Sequence, residues 1–327
     1  MKPSRVREVL TSILDTRWPA FLWGAPGVGK SAVVRQVAQA RGLELIDIRA
    51  PLLDPTDLRG LPYFKDGFAV WAPPSFLPSK SDSAGVLFFD ELNAAPPLVQ
   101  ASLYQLTLDR RVGEYALPEG WKIIAAGNRA EDAAVVFRMP SALANRFVHI
   151  DFEVDFEDWV TWALKAEIHP LVQAFLRLRR EILLDLRSMD RGFPTPRSWE
   201  MASDAVKVFG DAKEALDVLI GIVGEGAAME FVGFCSRSLT EAHVDAILGD
   251  PEHAELPADL GELYALVAYV AARAKEDSVV TAAGRLLVRL NPELAVILAR
   301  QIIFLRPEFS ANPGFVRFLE KNRALLA

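Results

Sequence analysis

The sequence predicts an α/β protein: a parallel-sheet domain to about residue 150, then a small all-α domain and a helical C-terminal extension. Three observations carry this reading. Short apolar runs alternate with helical patterns through the first 150 residues, the mark of a parallel sheet. A strand, a glycine-rich loop and a helix follow one another across residues 20–41. Strand signals vanish after Asp155, where helical periodicity takes over. The expected boundaries are 1–152, 153–240 and 241–327.

The first expected strand, Phe21–Trp23, runs into Gly-Ala-Pro-Gly-Val-Gly-Lys-Ser at 24–31, which satisfies every fixed position of GxxxxGK[ST]. In that pattern backbone N–H groups face a bound phosphate, helped by the positive end of the following helix. Gly24, Gly27 and Gly29 allow backbone angles and approaches that a Cβ would block, with Ala25, Pro26 and Val28 between them. Lys30 would reach the β- and γ-phosphates, and the Ser31 hydroxyl would hold Mg²⁺. A glycine turn with an accidental Lys-Ser is the competing reading, and the flanking strand and helix count against it. The loop implies a nucleoside triphosphate.

The second strand is expected at Glu44–Ile48. A long proline-rich stretch, Ala50–Ala84, follows and reads as irregular, which inside a compact domain marks an insertion or a functional loop. The third strand, Val86–Phe89, is fully apolar and delivers Asp90 and Glu91 at its carboxyl end, where ligands sit in open α/β sheets. Asp90 would hold the Mg²⁺ shell, and Glu91 would orient and deprotonate an attacking water. The fourth strand, Lys122–Ala126, leads to Asn128, an amide placed to bond that water or the γ-phosphate. Next, a short helix ends at Arg146, just before the fifth strand, Phe147–Ile150. An arginine aimed at a γ-phosphate stabilises transition-state charge and can come from another subunit. Arg138 and Arg129 are rivals for that role. Beyond, helices are expected at Trp159–Ala166, Pro170–Leu186, Ser198–Phe209, Ala212–Val223 and Leu260–Ala274. Pro196 suits a helix start and would leave Arg197 on its first turn.

Composition narrows the class. The 327 residues carry 36 Lys+Arg against 43 Asp+Glu, a formal charge of −7, with no strongly basic block. That weighs against nucleic acid as the main ligand. The single cysteine, Cys235, lies in an apolar run and reads as a structural thiol; one cysteine suits a reducing compartment. The N-terminus lacks the apolar core of a signal peptide, and no uncharged apolar run reaches membrane-spanning length. A soluble cytoplasmic protein is expected.

Taken in order, the phosphate loop, Asp90-Glu-Leu-Asn93, the strand-borne Asn128, Arg146-Phe and Pro196-Arg-Ser resemble an AAA+ ATPase of the MoxR group. Asp54-Pro-Thr-Asp57-Leu-Arg-Gly60, Trp71-Ala-Pro-Pro74, Gln100-Ala-Ser-Leu and Arg110-Arg-Val-Gly113 extend the resemblance over about residues 15–240. It implies ATP and Mg²⁺ as cofactors and a ring, usually a hexamer, with nucleotide at subunit interfaces. It also implies roles: Asn128 as sensor 1, Arg146 as the trans-acting finger, Arg197 as sensor 2 on a helical lid. Family work is chaperone-like, on a client protein or complex, often with a von Willebrand factor A partner or a metal-enzyme maturation client. Such a partner would be a separate polypeptide, because the Asp-x-Ser-x-Ser signature is missing here. Two positions depart from the pattern: Asn145 stands where an acid often precedes the finger, and Arg129 follows Asn128 where proline is usual. Two other readings remain, an ATP-gated assembly switch and a nucleic-acid-directed ATPase. In the Ala50–Ala84 stretch, either Tyr63, Phe64 and Phe68 grip a client near a central pore, or Phe68 and Trp71 are buried in the core and the stretch only buttresses the sheet.

Overall fold

A computed structural model of the chain describes residues 1–132, 137–187, 189 and 191–322. The chain folds as two compact units, 1–155 and 156–327. The first is built on five strands: β1 (Ala20–Trp23), β2 (Glu44–Arg49), β3 (Ala84–Asp90), β4 (Gly120–Gly127) and β5 (Val148–Asp151). Their order is β2-β3-β4-β1-β5, all parallel. Parallel strands buried on both faces read as unbroken apolar runs. That is why β1, β3 and β4 stand out in the sequence, and why Val86–Phe89 is almost fully buried. Phe21, Leu87, Phe89, Ile123 and Ala125 share one core cluster with Leu103 and Leu106 of the helix Pro97–Asp109.

The stretch 50–84 is more regular than expected. It holds a short helix, Pro55–Arg59, started by a capping box between Asp54 and Asp57, and a hairpin of Leu61–Lys65 with Phe68–Ala72. The hairpin turns on Asp66-Gly67, both at positive φ (51° and 79°), which is the primed-turn chemistry of two-residue hairpins. Phe64 and Phe68 are 87% and 74% exposed, so they do not pack into the core. Trp71 is half-buried beneath the Arg59 guanidinium, 5.0 Å from its ring centre.

The second unit is helical throughout its described residues. The helix expected over 170–186 stops at Leu178 and continues only as a short 3-10 turn, Arg180–Leu183. Trp199, fully buried, donates its indole N–H to the Ile182 carbonyl at 2.7 Å, which holds that carbonyl in the 3-10 turn and away from an α-helical partner. Around it Phe175, Phe231 and Phe234 form an aromatic core, with ring centres 5.2–5.8 Å apart. The helix Pro196–Phe209 opens on a Thr195–Ser198 capping box with Pro196 as its first residue. Leu260–Ala272 is buried throughout Ala265–Ala271 and packs against both Pro170–Leu178 and Pro292–Leu305, so helices before and after residue 240 share a core. Desolvation raises the Cys235 thiol, which keeps it protonated and unreactive. No helix among the described residues is long and apolar enough to cross a membrane.

Candidate functional site

At the carboxyl edge of the sheet, β4 lies between β1 and β3 and brings their ends together. The loop 24–31 leaves β1 and enters the helix Lys30–Ala40 through Gly29, whose φ of 105° only glycine adopts readily. The first-turn N–H groups of that helix have no intrahelical acceptor and point out of its positive end. Lys30 is buried, and its ammonium donates to the Gly24 carbonyl (2.6 Å), the Ala25 carbonyl (2.9 Å) and Asn128 Oδ1 (2.9 Å). The cation expected to meet phosphate therefore already touches the amide expected beside it.

Asp90, only 3% exposed, ends β3. Its Oδ2 accepts from the Ser31 hydroxyl at 2.6 Å, and its Oδ1 accepts from the Glu91 backbone N–H at 2.9 Å. Glu91 sits at φ 57°, a left-handed backbone that turns its half-exposed carboxylate off the strand. A hydroxyl and a carboxylate meeting at one point are the hard oxygen donors that Mg²⁺ takes. Among the described residues no group of three His, Cys, Asp or Glu could hold a metal alone. An ion here would need further oxygens, which a triphosphate and water supply. The residues present thus fit a nucleoside triphosphate with Mg²⁺.

Two site residues escaped the sequence reading. Arg49 ends β2 and stands in register with Asp90. Its Nη1 donates to Asp90 Oδ2 at 2.7 Å and lies 3.8 Å from Glu91 Oε1. The signal was an arginine closing a strand, one residue past the expected end, but its partner depends on pairing across 41 residues. Asn93, 3% exposed, donates from Nδ2 to the Asn128 carbonyl at 2.7 Å, while its Oδ1 has no partner among the described residues. That amide packs against Gly127: a Cβ there would lie 2.8 Å from both Asn93 Cγ and Phe21 Cζ. Gly127 is needed for this approach.

Among the described residues, the guanidinium groups of the first unit's expected arginines, Arg129, Arg138 and Arg146, make no hydrogen bond to these site residues. Arg146 is exposed just beyond the helix Ser141–Ala144, and its guanidinium has no hydrogen bond or ion pair among the described residues. Arg138 is likewise exposed. Arg129 is held in its own subunit by Asp151, 3.2 Å away. Arg197 follows Pro196 in the first turn of its helix, in the second unit.

Residues 19–147 match the AAA domain of the dynein-related subfamily. The chain is 30% identical over 150 residues to Protein MoxR of Methylorubrum extorquens, covering 44% of this chain and 43% of that one. It is 27% identical over 186 residues to Protein MoxR of Paracoccus denitrificans, covering 54% of each. It is 28% identical over 151 residues to Chaperone MoxR1 of Mycobacterium tuberculosis, covering 44% and 38%. The matched region spans about half, or less, of the length of these relatives. Strand order, site and family match together define an AAA+ nucleotide domain. Within that class, the matched region is similar to the AAA+ domains of proteins named MoxR.

Proposed function

We propose that this chain hydrolyses ATP with Mg²⁺ at a site completed by a neighbouring subunit, and uses the cycle to remodel or activate a partner protein. The observation that carries the proposal is a pair of hydrogen bonds at the carboxyl edge of the sheet, Lys30 to Asn128 and Ser31 to Asp90. Backbone N–H groups of 24–31 would bind the phosphate chain, and Lys30 would turn from the loop carbonyls onto the β- and γ-oxygens. Ser31 and Asp90 would hold the ion, which when bound neutralises charge on the phosphates. Glu91 takes a proton from the attacking water, and the Asn128 amide orients that water. Arg146 reaches the γ-phosphate of the adjacent subunit, which suits an exposed guanidinium that has no partner among the described residues. Arg197, in the helical second unit, takes the sensor 2 role that the family resemblance implies, with 153–240 as the lid and 241–327 as its helical extension.

On this reading the chain works in the cytoplasm as a ring, with six subunits expected. Its partner is a separate client or adaptor, such as a von Willebrand factor A protein or a metal enzyme under maturation. The word chaperone in the name of the Mycobacterium relative supports this class of work. Glu91→Gln should bind ATP as tightly as the parent while turnover falls at least about a hundredfold, within the range for removing a general base. Parent-like turnover would remove Glu91 from its role. Proteins retained by ATP-loaded Glu91→Gln, compared with those retained by the nucleotide-free form, would identify the client.

A further inference from the structure

Between the phosphate loop and Arg146 lies a side-chain connection that uses none of the groups above. Trp23 is the last residue of β1 and directly precedes Gly24. Its indole Nε1–H donates to His149 Nδ1 at 2.8 Å, and the two rings stack with centres 6.0 Å apart. An indole nitrogen can only donate, so Nδ1 must accept and the imidazole proton sits on Nε2. From there it is donated to the Ala144 carbonyl, also at 2.8 Å. Each nitrogen of His149 thus has one partner, and a single neutral tautomer satisfies both.

Ala144 closes the four-residue helix Ser141–Ala144, too short to hold its shape unaided. Its carbonyl also receives the Phe147 N–H (3.2 Å), so two donors fasten the turn on which Arg146 sits. Leu143 and Phe147 are buried on either side, and Phe147 packs edge-on against Phe21 of β1 at 5.4 Å. Arg146 is exposed on this anchored turn, between the buried Leu143 and Phe147.

We infer that His149 is a positioning residue for Arg146 and that Trp23 sets its orientation. The phosphate loop of one subunit and the arginine it lends to the next would then move together through two hydrogen bonds. The inference rests on the proposed role of Arg146 in trans, and subunit mixing separates the two. His149→Ala should lower turnover by about tenfold to a hundredfold, the cost of misplacing a catalytic group by roughly 1 Å. ATP affinity of the same subunit should stay within about twofold, since no His149 atom touches the loop's phosphate-facing groups. His149→Gln, whose amide nitrogen reaches the Ala144 carbonyl, should recover much of the loss. Trp23→Phe, which removes the indole donor and part of the packed ring, should lower turnover by a smaller factor.

Mixing His149→Ala with Glu91→Gln subunits, which hydrolyse nothing but present an intact arginine, should restore turnover at the His149→Ala sites. Arg146→Ala mixed in the same way serves as the reference. Restoration of Arg146→Ala but not of His149→Ala overturns the inference and leaves the finger in place. Parent-like turnover in His149→Ala, or a loss matched by weaker ATP binding, also overturns it. Parent-like turnover in Arg146→Ala removes the finger reading and this inference with it.

Discussion

Arg49→Gln removes a positive charge whose nitrogen lies 2.7 Å from the carboxylate oxygen that also meets Ser31. If Asp90 and Ser31 hold Mg²⁺, that guanidinium stands beside the ion and opposes it. Two unit charges about 4 Å apart interact by about 1 kcal/mol in bulk water and about 4 kcal/mol at an effective dielectric of about 20. The Arg49 side chain is 44% exposed, so it can swing aside and water screens what remains, which favours the lower figure. Doubling for the divalent ion gives about 2 kcal/mol, which corresponds to roughly thirtyfold in metal affinity. The assay is a fluorescent ATP analogue bound to Glu91→Gln protein and titrated with Mg²⁺, with and without Arg49→Gln. The half-saturating Mg²⁺ concentration should fall by about tenfold to thirtyfold, and less at high salt. An unchanged midpoint would refute the charge argument. A raised midpoint would show that Arg49 supports the bound complex instead of opposing the ion.

Further predictions concern packing and pH. Gly127→Ala should cost about 1–3 kcal/mol of stability, because the new Cβ overlaps Asn93 and Phe21. It should also lower turnover through loss of the Asn93 hydrogen bond to the Asn128 carbonyl; an unchanged melting temperature would contradict the packing. In the second unit, burial, with Lys207 adding to it, lowers the His169 pKa to about 4 from an ordinary 6.5. The folded state disfavours the proton, so this stabilisation is complete above pH 6.5 and is lost as pH falls from 6.5 towards 4. The whole contribution is about 3 kcal/mol. His169→Asn keeps an acceptor for the Leu171 N–H that His169 Nδ1 now receives and should flatten the slope of denaturant midpoint against pH in that window. An unaltered slope would assign the acid sensitivity elsewhere.

Which features could be read in advance follows from how each residue finds its partners. The strands β1, β3 and β4 announce themselves because both faces are covered, and the phosphate loop because its chemistry lies within eight consecutive residues. Asp90 and Glu91 are legible because an apolar run delivers them to the sheet edge. Arg49 is not, since its contact with Asp90 requires the pairing of β2 with β3. The 61–72 hairpin is hidden for the opposite reason: neither face packs into the core, so no alternation of apolar and polar residues marks it. The turn after Leu178 is held by a tryptophan 17 residues beyond the carbonyl it captures. The Trp23–His149–Ala144 connection similarly needs the neighbouring positions of β1 and β5.

The central claim is that Lys30, Ser31, Asp90 and Glu91 form half of an ATPase site and that Arg146 of another subunit supplies the rest. Turnover per subunit, measured against protein concentration with the assembly mass recorded in the same samples, tests it most directly. Turnover should rise as the chain assembles and stay near the baseline in Arg146→Ala at every concentration. Full turnover per subunit from the isolated monomer would contradict it.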